Sequence, residues 1–339
     1  MKDKAVFLYT SDRVLLLFFL INKNWINNDN IYVTTYEWKN QKKYIWDKLK
    51  GEKIVVSEES LEKNLIFRSF YIKKVRKKLK ELILKIERKE YILYGLDQQF
   101  LGKRLFFRED ITVIEEGFLN YVKKDILKNR LKEKIKDRIF KILGVNERQE
   151  VLGFGKKVKK IYLTENLCKK IPKGLEKKAE IINLKELWNK KSEKEKKFIL
   201  DIFNFNVEVF KKVNESTIML FTQPLSEDKI ITEEEKIELY SRILKNYKSQ
   251  SIILKPHPRE ETDYTKYFKD CYIMQEKYPI EILELVGIRV KKVITIFSSA
   301  VFGLGNDVEI DFYGTEIHPK LFEIFGTQNK IMKRNAFLD

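Results

Sequence analysis

The sequence predicts an α/β protein made of two doubly wound domains, each with a parallel sheet. Three observations carry that expectation. Short apolar runs alternate with amphipathic stretches along nearly the whole chain, the signature of strand–helix–strand units. A length of 339 residues exceeds what one core usually holds, so two domains of about 150 residues are the default. An apolar content of 43%, with 13% aromatic, can fill two cores, and the scarcity of Gly (13) and Pro (6) makes each one informative.

Taken in order, Ala5–Tyr9 is a buried strand, and Ser11-Asp12 can cap the apolar helix Val14–Ile21. Ile31–Thr35 and Ile54–Val56 are further strands around a helical stretch, Tyr36–Leu49. Ser57-Glu58-Glu59 opens a long helix whose apolar positions Ile72, Val75, Leu79, Leu82 and Ile86 step by three and four. Tyr91–Tyr94 and Ile111–Ile114 follow as strands, then a basic helix to about Leu143. Gly153-Phe154-Gly155 marks a loop, and Ile161–Leu163 and Ala179–Leu184 are strands.

Charged, helical residues 192–215 mark the junction, giving domains 1–200 and 201–339. In the second, Thr217–Phe221 is a strand, and Thr232 with Glu235 forms a capping box for a helix with Ile237, Tyr240, Leu244 and Tyr247 on one face. Ile252–Leu254, Cys271–Met274, Lys292–Phe297 and Val308–Phe312 are strands. A helix lies before Lys292, with Pro279 at its first position and Gly287 just past its end. Two Rossmann-like halves facing across a cleft are the expected layout.

The formal charge of +18 predicts attraction to anions: an acidic membrane face, nucleic acid or anionic substrates. Most lysines sit on amphipathic stretches and read as solvated faces. Cys168 and Cys271 match no metal or redox spacing, which suits a reducing cytoplasm. The start has no signal-peptide layout, and Val14–Ile21 is too short to span a bilayer.

Chemistry concentrates at strand ends. The run Ile252-Ile253-Leu254 stops in Lys255-Pro256-His257-Pro258-Arg259-Glu260, because Pro256 and Pro258 each remove a backbone donor. That puts an imidazole, an ammonium and a guanidinium at the carboxyl end of a strand, where ligands bind in open α/β sheets. A solvated, proline-stiffened turn is the plain alternative. Ser298-Ser299 ends another strand before small residues and can cradle a phosphate; a simple serine cap is its alternative. Glu281, in the first turn of the Pro279 helix, can accept two ribose hydroxyls or merely complement the helix dipole. Glu115-Glu116-Gly117, at a strand end of the first half, offers a general base close to an incoming backbone or sugar; a charged strand-to-helix turn is its alternative. His318, before Pro319, reads as structural.

An acidic-acidic-Gly triplet, then Lys255-Pro256-His257-Pro258, then a Ser-Ser pair about forty residues on resembles the bacterial sialyltransferases of the GT-B fold. With Gln223-Pro224-Leu225 upstream and Pro279-x-Glu281 downstream, the chain is most similar to glycosyltransferase family 52, which includes lipooligosaccharide and capsule sialyltransferases. The resemblance implies CMP-sialic acid as donor and His257 as the acid acting on the departing CMP phosphate. It implies Ser298 and Ser299 around that phosphate and Glu281 on the ribose; Lys255, whose ammonium can offset phosphate charge, and Pro256 of the same turn complete the expected donor-binding residues. The base would be Glu115 ahead of Glu116, with Asp228 and Asp97 as fallbacks.

The expected activity is therefore an inverting, metal-independent transfer of sialic acid to a sugar hydroxyl, with galactose the expected sugar, of a lipooligosaccharide or capsular glycan. No Asp-x-Asp element argues for a divalent cation. Expected partners are CMP-sialic acid, a glycan acceptor, an anionic membrane surface and, as the resemblance suggests, a second copy of the chain, but no nucleic acid. The expected location is cytoplasmic, peripheral on the inner membrane face. A family-52-like transferase using another nucleotide sugar, such as a glucosyl donor, is the alternative. A basic nucleic-acid-binding protein without catalysis is another, and it predicts steep salt dependence.

Overall fold

The computed structural model describes residues 4–23, 26, 28–57, 65–121, 150–168, 170–210, 217–247, 250–274, 278–298, 300–301, 304 and 308–327. The chain forms two compact units, Met1–Phe203 and Asn204–Asp339.

In the first unit seven strands form one parallel sheet. They are β1 Lys4–Leu8, β2 Ile31–Thr35, β3 Glu52–Val56, β4 Tyr91–Gly95, β5 Ile111–Ile114, β6 Val158–Thr164 and β7 Ala179–Ile182. The order is β3-β2-β1-β4-β5-β6-β7, with every pair parallel. The second unit repeats the scheme with five parallel strands: β8 Ile218–Phe221, β9 Ile252–Lys255, β10 Cys271–Ile273, β11 Lys292–Thr295 and β12 Glu309–Phe312. Its order is β10-β9-β8-β11-β12. Each sheet thus winds outward from its first strand, then returns and winds the other way. The winding reverses between β1 and β4 and between β8 and β11. Loops leaving those pairs diverge, which opens a crevice at the carboxyl edge.

The central strands read as continuous apolar runs because both faces are covered. Val6 and Leu8 of β1 pack with Ile72, Leu82, Leu93 and Leu101 on one face. Phe7 stacks on Phe18 at 4.4 Å on the other, and Phe18 meets Tyr94 edge-on at 5.4 Å. The helix Asp12–Ile21, capped by Ser11 as expected, buries every residue from Val14 to Leu20. That accounts for its lack of a polar face.

Several elements differ from the sequence expectation, each for a local reason. Tyr36–Leu49 is two short helices, Tyr36–Gln41 and Lys43–Lys48, broken where Lys42 leaves helical geometry. The long basic helix is also two, Leu65–Lys78 and Lys80–Glu87, with Leu79 between them at ψ 11°. The Glu58-Glu59 start and residues 122–149 lie outside the described residues. Residues 192–215 include a helix, Glu193–Ile202, opened by a Ser192/Glu195 capping box.

In the second unit the Thr232/Glu235 box forms as expected and starts the helix Glu233–Leu244. Its buried face is Lys236, Leu239, Tyr240 and Ile243, one position away from the face drawn through Ile237 and Leu244. The buried face includes Lys236, which is completely inaccessible. The helix after Pro279 begins at Glu281, and Gly287 ends it at φ 84°.

Candidate active site

In the second unit the ends of β9, β8 and β11 lie side by side, and the expected site residues gather on that edge. Lys255, the last residue of β9, is buried, and its carbonyl accepts the Thr222 N–H at 3.2 Å. Pro256 and His257 follow, half-buried. The His257 turn is closed twice: the Glu260 N–H donates to the His257 carbonyl at 2.9 Å, and the His257 N–H donates to Glu260 Oε1 at 2.5 Å. The Arg259 N–H donates to His257 Nδ1 at 3.2 Å, so the neutral ring keeps its proton on Nε2.

Across the reversal point, Thr295 at the end of β11 receives the Ser298 N–H at 2.9 Å and donates to the Phe221 carbonyl of β8 at 3.4 Å. Ser298 is buried, and its Oγ accepts the Ala300 N–H at 3.4 Å. Its expected companion Ser299 lies outside the described residues. Glu281 is buried at the start of the Glu281–Leu285 helix.

Behind the His257 turn is a polar network that the sequence did not reveal. Glu260 accepts Thr222 Oγ1 at 2.6 Å and the Tyr264 hydroxyl, and Lys236 Nζ lies 3.7 Å from its Oε2. Burial pushes the Glu260 carboxyl up, against the opposing pull of Thr222, Tyr264, the His257 N–H and Lys236. Lys236 also donates to both oxygens of Glu227, at 3.0 and 2.8 Å, and Glu227 accepts the Glu261 N–H at 2.9 Å. On the surface Arg259 grips Asp228 with two bonds, at 2.6 and 3.0 Å. Two ionic clamps therefore tie the loop after β8 to the loop after β9. The available sequence signal was Lys236 stepping with Leu239, Tyr240 and Ile243, a helical spacing that makes it part of the buried face.

Glu227 supplies a pH prediction. Burial raises its pKa, but Lys236 and the N–H groups together outweigh that and hold it at about 2, against an ordinary 4.5. A depressed carboxyl stabilises the fold above its unfolded pKa and loses that contribution as pH falls through the folded value. Acid unfolding of the protein is expected to lose a component between about pH 4.5 and 2 when Glu227→Gln is compared with wild type. Superimposable acid-unfolding curves would contradict it.

In the first unit the Glu115-Glu116-Gly117 triplet follows β5. Glu115 is fully buried and fully occupied. Arg13 donates to its carboxylate at 2.7 Å and to its carbonyl at 2.8 Å, the Thr164 N–H donates at 3.0 Å, and the hydroxyls of Thr164 and Tyr121 add two more bonds. Glu116 is half-buried; it accepts Gln98 Nε2 at 2.8 Å, and its N–H donates to Asn120 Oδ1 at 3.1 Å. Burial raises the Glu116 pKa, with Gln98 and Arg13 opposing. Gly117 has φ 144°, and a methyl group there would meet no atom within 4 Å, so space is open beside Glu116. Of the fallback acids, Asp97 is buried and accepts the N–H groups of Leu152 and Gly153 at 2.8 and 2.9 Å, while Asp228 is the partner of Arg259. His318 caps the helix Pro319–Phe325 through Nδ1, a structural role.

Known proteins share this architecture. The chain is similar to the GT-B domain of a sialyltransferase from Photobacterium damselae (TM-score 0.57, 13% identity, 91% of this chain and 90% of that one). It is also similar to an α/β-galactoside α-2,3-sialyltransferase from Photobacterium phosphoreum (TM-score 0.53, 13% identity, 92% and 90%). A UDP-GlcNAc 2-epimerase from Methanocaldococcus jannaschii matches at TM-score 0.51 and 14% identity, over 95% and 92%. At such identities these likenesses show the fold, which is GT-B. A Haemophilus influenzae protein of uncharacterised function is 36% identical over 332 residues, 95% of this chain and 98% of that protein. The sequence profile of glycosyltransferase family 52 matches residues 20–321. With two parallel-sheet units and a family match running through both, the chain belongs to glycosyltransferase family 52.

Proposed function

We propose that the chain is an inverting sialyltransferase that moves sialic acid from CMP-sialic acid to a sugar hydroxyl, galactose being the expected one, of a lipooligosaccharide or capsular glycan. The observation that carries this reading is the doubly closed His257 turn at the carboxyl edge of β9, with the ring proton on Nε2. In a single displacement the acceptor oxygen bonds the anomeric carbon as the bond to the CMP phosphate breaks, which inverts the centre. The electron pair leaves on a phosphate oxygen, and His257 Nε2–H donates to it. Glu116 takes the acceptor proton: it is half-buried beside open space, whereas four donors occupy the Glu115 carboxylate.

Lys255, Ser298 and Ser299 would bind the phosphate, Pro256 would shape that turn and Glu281 would hold the ribose. Because Lys255 and backbone N–H groups can offset phosphate charge, the reaction is proposed to need no divalent cation. The test is CMP release from CMP-sialic acid in EDTA, with and without lactose. Acceptor-stimulated release is expected, depressed about 10²–10⁴-fold in Glu116→Gln. The wild-type acid limb should lie above the ordinary carboxylate range, because Glu116 must be deprotonated to act and its pKa is raised. Turnover with UDP- or GDP-sugars but not CMP-sialic acid would overturn the donor.

The helix Leu65–Lys78 supports a place on the anionic inner membrane face. Ile72 and Val75 are buried, while Phe67 (69% exposed) and Phe70 (66%) share the outer face with exposed Lys73, Lys74, Lys77 and Lys78. Aromatic wedges beside lysines suit an anionic headgroup layer. Among the described residues no helix is long and apolar enough to cross a membrane. Phe67→Ser with Phe70→Ser is expected to weaken co-sedimentation with phosphatidylglycerol vesicles by roughly tenfold or more. Unchanged sedimentation would refute this surface.

A further inference from the structure

We propose that Gln98 and Asn120, flanking Glu116, form a binding subsite for adjacent hydroxyls of a neutral acceptor sugar. This rests on the reading of Glu116 as the base and adds which sugars it meets and how they are held.

Gln98 follows β4 and Asn120 follows β5, next to the β1/β4 reversal of the first sheet. Glu116 bonds to both, and those bonds fix the orientation of both amides. Its carboxylate takes the Gln98 NH2 group at 2.8 Å; a flipped amide would set oxygen against carboxylate. Its N–H donates to Asn120 Oδ1 at 3.1 Å; a flipped amide would set donor against donor. The atoms left without any partner are an acceptor, Gln98 Oε1, and an amide donor group, Asn120 Nδ2, both buried. Asn120 is only 1% exposed.

Native structures leave few buried polar atoms unsatisfied, and each such atom calls for an explanation. Among the described residues six side-chain atoms are in this state. Three of them, Thr10 Oγ1, Gln98 Oε1 and Asn120 Nδ2, follow β1, β4 and β5, which lie next to one another on the carboxyl edge. Their place after three neighbouring strands, at the edge where ligands bind in doubly wound sheets, points to a ligand that completes these bonds.

The donor and acceptor pattern selects the ligand class. A hydroxyl can donate to Gln98 Oε1, and a neighbouring hydroxyl oxygen can accept from Asn120 Nδ2. Two adjacent hydroxyls of a neutral sugar satisfy both, leaving a third hydroxyl to meet Glu116. A carboxylated sugar would set its charge against Glu116, and an amino sugar would have no lone pair to offer Asn120 once protonated.

The test pairs acceptor chemistry with one substitution. Transfer to lactose is compared with transfer to analogues lacking single galactose hydroxyls, in wild type and in Gln98→Met. In wild type, removing one of the two hydroxyls is expected to raise acceptor KM about tenfold or more, with a smaller change in kcat. In Gln98→Met that discrimination should vanish for the hydroxyl that donates to Oε1. Saturation-transfer NMR with lactose, without donor, reads binding independently of chemistry. The wild-type analogue series needs no variant to fold. Transfer by wild type with equal KM for every analogue overturns the subsite and leaves the transferase reading intact. Lactose binding that Gln98→Met weakens, without transfer from CMP-sialic acid, upholds the subsite and overturns the donor. No binding of any neutral sugar overturns the subsite.

Discussion

His257→Ala is expected to lower kcat by about 10²–10⁴-fold while CMP affinity stays within a few-fold of wild type. The substitution removes the Nε2–H proposed to meet the departing phosphate, but it leaves Lys255 and Ser298, which make binding contacts in the proposed site. Alanine also deprives the Arg259 N–H of its acceptor. His257→Asn separates the two effects, since an asparagine oxygen can accept a backbone N–H two residues on but cannot pass a proton. Asparagine should therefore preserve the turn and the melting temperature yet remain as inactive as alanine. Single-turnover rates and calorimetric CMP binding read the two halves of the expectation. A variant that keeps wild-type kcat would remove His257 from the chemistry.

Lys236→Met is expected to destabilise the second unit by about 3–5 kcal/mol, the cost of leaving a buried charge without its partner. The Lys236 side chain is wholly inaccessible; Glu227 lies at 2.8 Å and Glu260 at 3.7 Å. Methionine fills much of the same volume, so packing is largely kept and the loss isolates the charge. Combining Lys236→Met with Glu227→Gln should recover part of the lost stability, because it removes one of the stranded carboxylates. Turnover should fall with Lys236→Met as well, since Glu260 holds the His257 N–H and Lys236 helps to hold Glu260. Thermal unfolding and kcat together check this. A melting temperature within a degree of wild type would show that the network contributes no net stability.

Much of the fold was legible because its signals are local. The Thr232/Glu235 capping box acts over three residues, and it starts a helix where the sequence said it would. Pro256 and Pro258 end β9 through their own missing donors, so the position of His257 at a strand end was readable without knowing the neighbouring strand. Long amphipathic runs were less reliable. The breaks at Lys42 and Leu79 leave the hydrophobic spacing intact, so periodicity alone runs straight through them.

The candidate site divides in the same way. The sequence by itself determined which chemical groups stand at strand ends: the imidazole after β9, the serine after β11, the paired carboxylates after β5. Only the tertiary structure decided which carboxylate is occupied, because the partners of Glu115 come from distant parts of the chain, Arg13 before it and Thr164 after it. The same holds for Lys236, whose burial depends on Glu227 and Glu260 arriving from two separate loops. Hydrogen bonds between residues far apart in sequence leave no periodic trace, so strand ends can be read from the chain, but their partners are fixed only by the order in which the strands assemble.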